Sequence, residues 1–116
     1  MRVAGPEDIA GMRRLLESTG SPAHAAEVEA ALGDGRHVVV IAEHGADGGV
    51  GLGVMWLVDA PTGADKPRAE VRLLAVHASW RGRGVGIELL EGLRREAVAR
   101  GVTEVRISTR ARRPSP

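Results

Sequence analysis

Val71-Arg72-Leu73-Leu74-Ala75-Val76-His77-Ala78-Ser79-Trp80-Arg81-Gly82-Arg83-Gly84-Val85-Gly86 is the stretch from which the rest of the chain is read. Val71 to Val76 form an apolar run of strand type, and His77 to Trp80 make a short turn. Ile87-Glu88-Leu89-Leu90-Glu91-Gly92-Leu93-Arg94-Arg95 then places apolar residues at helical spacing. The order is strand, glycine-rich turn, helix. A helix that opens on such a turn presents N–H groups without intrahelical partners, backed by the positive end of the helix dipole. Glycine lets this backbone approach a ligand with no Cβ in the way. With Arg81 and Arg83 beside it, the turn suits phosphate oxygens. The competing reading is a turn that needs glycine only for its backbone, with both arginines solvated.

Gly82-x-Gly84-x-Gly86 lacks the third glycine of a dinucleotide fingerprint and the Lys-Ser/Thr of a phosphate-binding Walker loop. Taken with the strand before it and the long helix after it, Arg81-x-x-Gly84-x-Gly86 resembles the acetyl-CoA-binding motif Gln/Arg-x-x-Gly-x-Gly/Ala of the GNAT superfamily of N-acetyltransferases. The resemblance implies that Arg81, Gly82, Arg83, Gly84, Val85 and Gly86 hold the pyrophosphate of acetyl-CoA. It implies that the pantetheine arm pairs with the strand backbone at Leu74, Ala75 and Val76, as an added strand would. It also implies that the Leu74 N–H polarises the thioester carbonyl. Glu70 lies eleven positions before Arg81, where several family members carry a glutamate general base. An acceptor amine must lose a proton to attack, and a carboxylate is a residue type that can take it. The structural alternative for Glu70 is an ion pair with Arg68 or Arg72.

Outward from this stretch, Arg2-Val3-Ala4 is a short strand. A helix follows from Pro6, and a second helix is capped by Ser21-Pro22 and ends at Gly33. Arg36 to Ala42 is a β-branched strand, and His44 to Gly49 is a turn. Val50 to Val58 is the next strand, in which Gly51 and Gly53 weaken pairing or mark a bulge. Arg68 to Val76 is the fourth strand, the helix after the glycine turn stops at Gly101, and Val102 to Thr109 alternates as a fifth strand. The expected fold is α+β (also describable as α/β): a mixed, mostly antiparallel sheet flanked by helices, in the order β-α-α-β-β-β-α-β. Residues 1–109 form one domain, and 110–116 form a basic, proline-containing tail.

The family pattern continues past a fifth strand with a further helix and two strands, and with an Asn, an Ala and a Tyr near a Gly-Phe pair. Here only Arg110 to Pro116 follow. The expectation is a shortened member without the last helix and strands. Its fifth strand would then be a bare edge, a liability that proteins cover or pair. A homodimer completing the cleft is expected on that ground. Reduced function is the alternative.

The composition narrows the chemistry. There is no Cys, Phe, Tyr, Asn or Gln, and one lysine, Lys66, stands against fifteen arginines. Thiolate nucleophiles, disulfides and a tyrosine proton donor are all excluded within these residues. The bias fits a GC-rich bacterial coding sequence. Net charge is +1, so neither a polyanion-binding protein nor a disordered chain is implied. There is no long apolar run and no signal-type start, and a cytoplasmic protein without membrane contact is the simplest reading. The four His (24, 37, 44 and 77) have no metal-ligand spacing, so no metal is expected. His77 is a candidate base or a turn residue, Trp56 and Trp80 read as packing residues, and the basic tail reads as solvated rather than as a nucleic-acid contact. The implied activity is acetyl transfer from acetyl-CoA to a primary amine of a small molecule by direct attack. The alternatives are a weakly catalytic or inactive CoA-binding module and, further off, a nucleic-acid accessory protein.

Overall fold

A computed structural model describes residues 1–19, 24–58 and 67–107. The elements in order are β1 (Arg2–Val3), α1 (Ile9–Ser18), α2 (Ala25–Leu32), β2 (His37–Glu43), β3 (Gly49–Val58), β4 (Arg68–Val76), α3 (Val85–Ala99) and β5 (Glu104–Ile107). The expected second-helix cap at Ser21-Pro22 and the 110–116 tail lie outside the described residues. Of the expected fifth strand, Glu104–Ile107 is seen, and residues 108–109 are also outside. Pro6–Asp8 form a separate 3-10 turn rather than the first turn of α1.

The five strands lie in chain order, β1-β2-β3-β4-β5. The first four run antiparallel, and β5 is parallel to β4, with α3 as the crossover between them. This is the mixed, mostly antiparallel sheet expected from the sequence. One face is covered by α1 and α2, through Met12, Leu15, Leu16, Val28 and Ala31 against Val39, Ile41, Leu52, Val54 and Ala75. The other is covered by α3, through Val85, Leu89, Leu93 and Ala97 against Val38, Val40, Met55, Ala69, Val71, Leu74 and Val76. Leu52, Leu89 and Leu93 are fully buried, so truncating one to Ala costs about 2–5 kcal/mol. No helix of the described residues is long and apolar enough to cross a membrane.

Two irregularities shape the sheet. Val54 pairs with Leu73 but Met55 pairs with Val71, leaving Arg72 as an extra residue in β4. Such a bulge flips the side-chain alternation. Ala69 and Val71 face α3 before it, and Leu74 and Val76 face α3 after it. A second shift, where Ala42 pairs with Gly51 but Glu43 with Gly49, leaves Val50 extra. Gly51 and Gly53 have a role beyond a bulge: they are where α3 presses closest on the sheet. A Cβ at Gly51 would lie 2.6 Å from Val85 Cγ1 and 2.9 Å from Leu89 Cδ1, and one at Gly53 would lie 3.0 Å from Leu93 Cδ1.

Candidate active site

The backbone of β4 supplies the first part of the site. The His77 N–H donates to the Val50 carbonyl at 2.8 Å, and the register that follows pairs Ala75 with Leu52 and Leu74 with Gly53. Antiparallel strands alternate hydrogen-bonded and non-hydrogen-bonded pairs. His77, Ala75 and Leu73 therefore turn their N–H and C=O groups to β3, while Leu74 and Val76 turn theirs away from it. On that far side β5 pairs with β4 over Arg68 to Val71 and no further among the described residues. Leu74 and Val76 thus offer backbone groups to an edge that is open among the described residues. Ala75 does not, because its backbone faces β3. The side chains of Leu74 and Val76 are buried against α3.

The glycine turn continues directly from this edge. The His77 ring Nδ1 accepts the Ser79 N–H at 3.1 Å, which gives His77 a turn-forming role at the start of the 3-10 turn Ala78–Trp80. Gly82 and Gly84 have φ of 76° and 83°, the left-handed region that favours glycine. Gly84 caps α3, and its carbonyl accepts the first intrahelical bond, from the Glu88 N–H at 3.0 Å. The N–H groups of Val85, Gly86 and Ile87 precede that bond and point out of the helix end. Val85 buries its side chain under the sheet, and Gly86 is a buried residue of α3 rather than part of the loop. Arg81 and Arg83 are both exposed. The Arg83 guanidinium lies 5.0 Å from the centre of the Trp80 ring, whose neighbour is the His44 ring at 4.9 Å. His44 Nε2 is 3.1 Å from Glu88 Oε2.

Glu70 lies on the opposite face of the sheet from α3, as the register partner of Trp56. Its Oε1 accepts a long, 3.4 Å contact from Arg68 Nε, so the ion pair weighed as the alternative to catalysis is present with Arg68. Four residues of strand separate Glu70 from Leu74, roughly 13 Å at most. Leu74, Val76 and the glycine turn follow one another along the chain, with Glu70 earlier on the same strand.

Two residues of this face were undervalued from sequence. Arg72, in the bulge, places its guanidinium 4.1 Å from the centre of the Trp56 ring, and the His37 ring stacks near Trp56 at 6.3 Å. His37 Nδ1 is 3.3 Å from Asp34 Oδ2 without hydrogen-bond alignment. Asp34 is held below the usual carboxylate range, first by the Arg36 N–H it accepts. Only cross-strand register brings Trp56 and Arg72 together, so no spacing within one strand signals it.

A strand edge that is open among the described residues thus runs into a glycine-capped helix, on a sheet covered by helices on both faces. Residues 9–114 match the model of the acetyltransferase (GNAT) family, and the chain belongs to that family. Solved structures share the fold. An acetyltransferase from Vibrio fischeri superposes with a TM-score of 0.75 at 20% identity, over 91% of this chain and 92% of that one. A ribosomal-protein-alanine N-acetyltransferase from Brucella melitensis biovar Abortus gives 0.75 at 20% identity, over 97% and 79%. An aminoglycoside acetyltransferase from an uncultured soil metagenomic sample, in complex with sisomicin, gives 0.74 at 17% identity, over 93% and 75%. No curated protein sequence matches the chain.

Proposed function

We propose that the protein transfers the acetyl group of acetyl-CoA to a primary amine of a small molecule, in a ternary complex. The single observation that carries this reading is the continuity of the β4 edge at Leu74 and Val76, open among the described residues, with the left-handed glycines and helix start at residues 82–86. Pyrophosphate oxygens would take the N–H groups of the turn, with Arg81 and Arg83 adding charge. The pantetheine amides would pair with the edge, and the Leu74 N–H would donate to the thioester oxygen as negative charge develops there.

The amine nitrogen attacks the thioester carbon, the C–S bond breaks, and the thiolate leaves. One proton leaves the nitrogen, and one reaches the sulfur. These residues include neither Tyr nor Cys, and water or the incoming ammonium would supply the proton for sulfur. Glu70 or a water chain would take the proton from the amine. Most of the rate would come from positioning two substrates in one cleft and from the oxyanion contact. The contact of Glu70 with Arg68 favours one second reading: a CoA-binding protein with slow catalysis.

Titration calorimetry with acetyl-CoA tests the site. A Cβ at Gly84 meets nothing within 4 Å but sits at φ 83°, so Gly84→Glu strains the turn and sets a carboxylate against the phosphates, with Gly84→Ala as the control for strain alone. Binding by the wild type and its loss in Gly84→Glu is the expected result, and equal affinity in both removes the assignment. Thiol release over a panel of amines then separates an enzyme from a binding module.

A further inference from the structure

Around Trp56 and Glu70, on the face that carries α1 and α2, three guanidinium groups and two carboxylates come together from β4 and β5. Arg68 and Glu70 are register partners of Glu104 and Arg106. Each carboxylate is engaged: Glu70 by Arg68 at 3.4 Å, and Glu104 by Arg106 at 2.8 Å. Asp34 lies beside His37 on β2. The remaining cation is Arg72. Its contact is the face of Trp56, and it makes no ion pair with the described residues. Arg72 is half-buried, and a cation drawn partly out of water is costly without an anion. An aromatic face returns only about 0.5–2 kcal/mol of that. Stacking does, however, hold the guanidinium plane still, which suits two parallel N–H bonds to an oxyanion.

Position adds to this. Arg72 is the extra residue of the bulge, the kind of irregularity that re-aims a side chain beside a site. It stands two residues from Leu74, roughly 7 Å along the strand. It is thus nearer than Glu70 to the place where the thioester carbonyl would lie.

We propose that Arg72, held against Trp56, binds an anionic group of the acceptor, so that the preferred acceptor is an amine that also carries a carboxylate or a phosphate. This rests on the acetyl-transfer reading above and names its substrate class. An acceptor bearing several cations would instead meet Arg68, Arg72 and Arg106 on the same face.

The test uses the full chain and thiol release from acetyl-CoA. The probes are ω-amino acids from glycine to aminohexanoate, each set against the n-alkylamine, the diamine and the aminoalkyl phosphate of matching length. The best anionic amine should exceed its alkylamine in kcat/KM by about tenfold to a hundredfold, the worth of a hydrogen bond to a charged group. Carboxylate and phosphate arms show which anion is preferred. In Arg72→Gln the ratio should fall toward one through KM for the anionic amine, with acetyl-CoA affinity kept. Arg72→Lys should retain part of the ratio, which a purely structural role for Arg72 does not predict. Equal or better turnover of diamines or alkylamines, or an undiminished ratio in Arg72→Gln, overturns the proposal while leaving acetyl transfer standing. Absence of acetyl-CoA binding, read by calorimetry on the same samples, overturns both.

Discussion

Gly51→Ala adds one methyl group at the point where α3 rests hardest on the sheet. The new Cβ would stand 2.6 Å from Val85 Cγ1, 2.9 Å from Leu89 Cδ1 and 3.6 Å from Ala42 Cβ. Ordinary carbon contact needs about 3.5–4.0 Å, so the nearest pair must separate by roughly 1 Å. Val85 cannot swing aside, because a valine in a helix has one strongly preferred rotamer and this one is buried at 2% exposure. The start of α3 must therefore lift. Overpacking of this kind costs about 1–3 kcal/mol. At roughly 4 °C per kcal/mol, the Tm falls by about 4–12 °C. The functional effect is separable from the loss of stability. Val85 is the first residue of α3, so lifting it moves the N–H groups that would hold pyrophosphate away from the β4 edge. Acetyl-CoA affinity should fall with the Tm. Gly53→Ala is the control: its Cβ meets Leu93 Cδ1 at 3.0 Å, the flexible end of a side chain two turns further into α3. It should lose less Tm and little affinity. Thermal melts and calorimetry on both variants decide the matter. A Gly51→Ala protein that melts within about 1 °C of wild type, or that melts early yet binds acetyl-CoA normally, refutes the argument.

Three further outcomes follow from other parts of the molecule. The Arg2 guanidinium, bonded to Asp8 at 2.7 and 2.9 Å, holds that carboxyl below the usual carboxylate range. The stability this pair contributes is therefore present above the ordinary value near 4 and is lost as pH falls through the lower folded value. Asp8→Asn should accordingly show a Tm deficit at pH 7 that closes on acidification; a deficit that is the same at both ends excludes the linkage. Glu70→Gln should bind acetyl-CoA as wild type does and turn over amine more slowly, most of all at lower pH; an unchanged rate-against-pH profile would leave water as the base. We propose, finally, that the chain dimerises through β5, an edge of the described sheet with Ile107 45% exposed. Sedimentation at micromolar concentration should give twice 12.2 kDa, and Ile107→Lys should shift it toward monomer, whereas a wild-type monomer with full cofactor affinity counts against the dimer.

The bounds of β4, Arg68–Val76, are those read from the sequence, because proline before the run and histidine with a turn after it mark both ends. The start of α1 was less legible. Pro6, Glu7 and Asp8 suit any helical first turn, and the bond from the Gly5 N–H to the Asp8 carboxylate, 2.8 Å, closes a 3-10 turn before Ile9 begins the α-helix. The bulge at Arg72 was invisible for a different reason. Leu73-Leu74-Ala75-Val76 is apolar on both faces, since helices cover both sides of the sheet, so the run shows no alternation whose phase could be seen to change. A bulge is also a property of two strands, and nothing in β4 by itself says which β3 residue lies opposite.

That irregularity links the legible and illegible halves of the site. The glycine turn could be read because positive φ at Gly82 and Gly84 restricts the residue type. Which backbone groups face the open edge could not, since it depends on where the alternation changes phase. With no extra residue, the pattern of Ala69 and Val71 would continue, and Leu73 and Ala75 would carry the outward N–H groups and face α3. The bulge hands that place to Leu74 and Val76, and the residue it displaces is Arg72, laid across Trp56 on the other face. One extra residue thus sets which backbone groups of β4 face away from β3 and lays Arg72 across Trp56 on the other face.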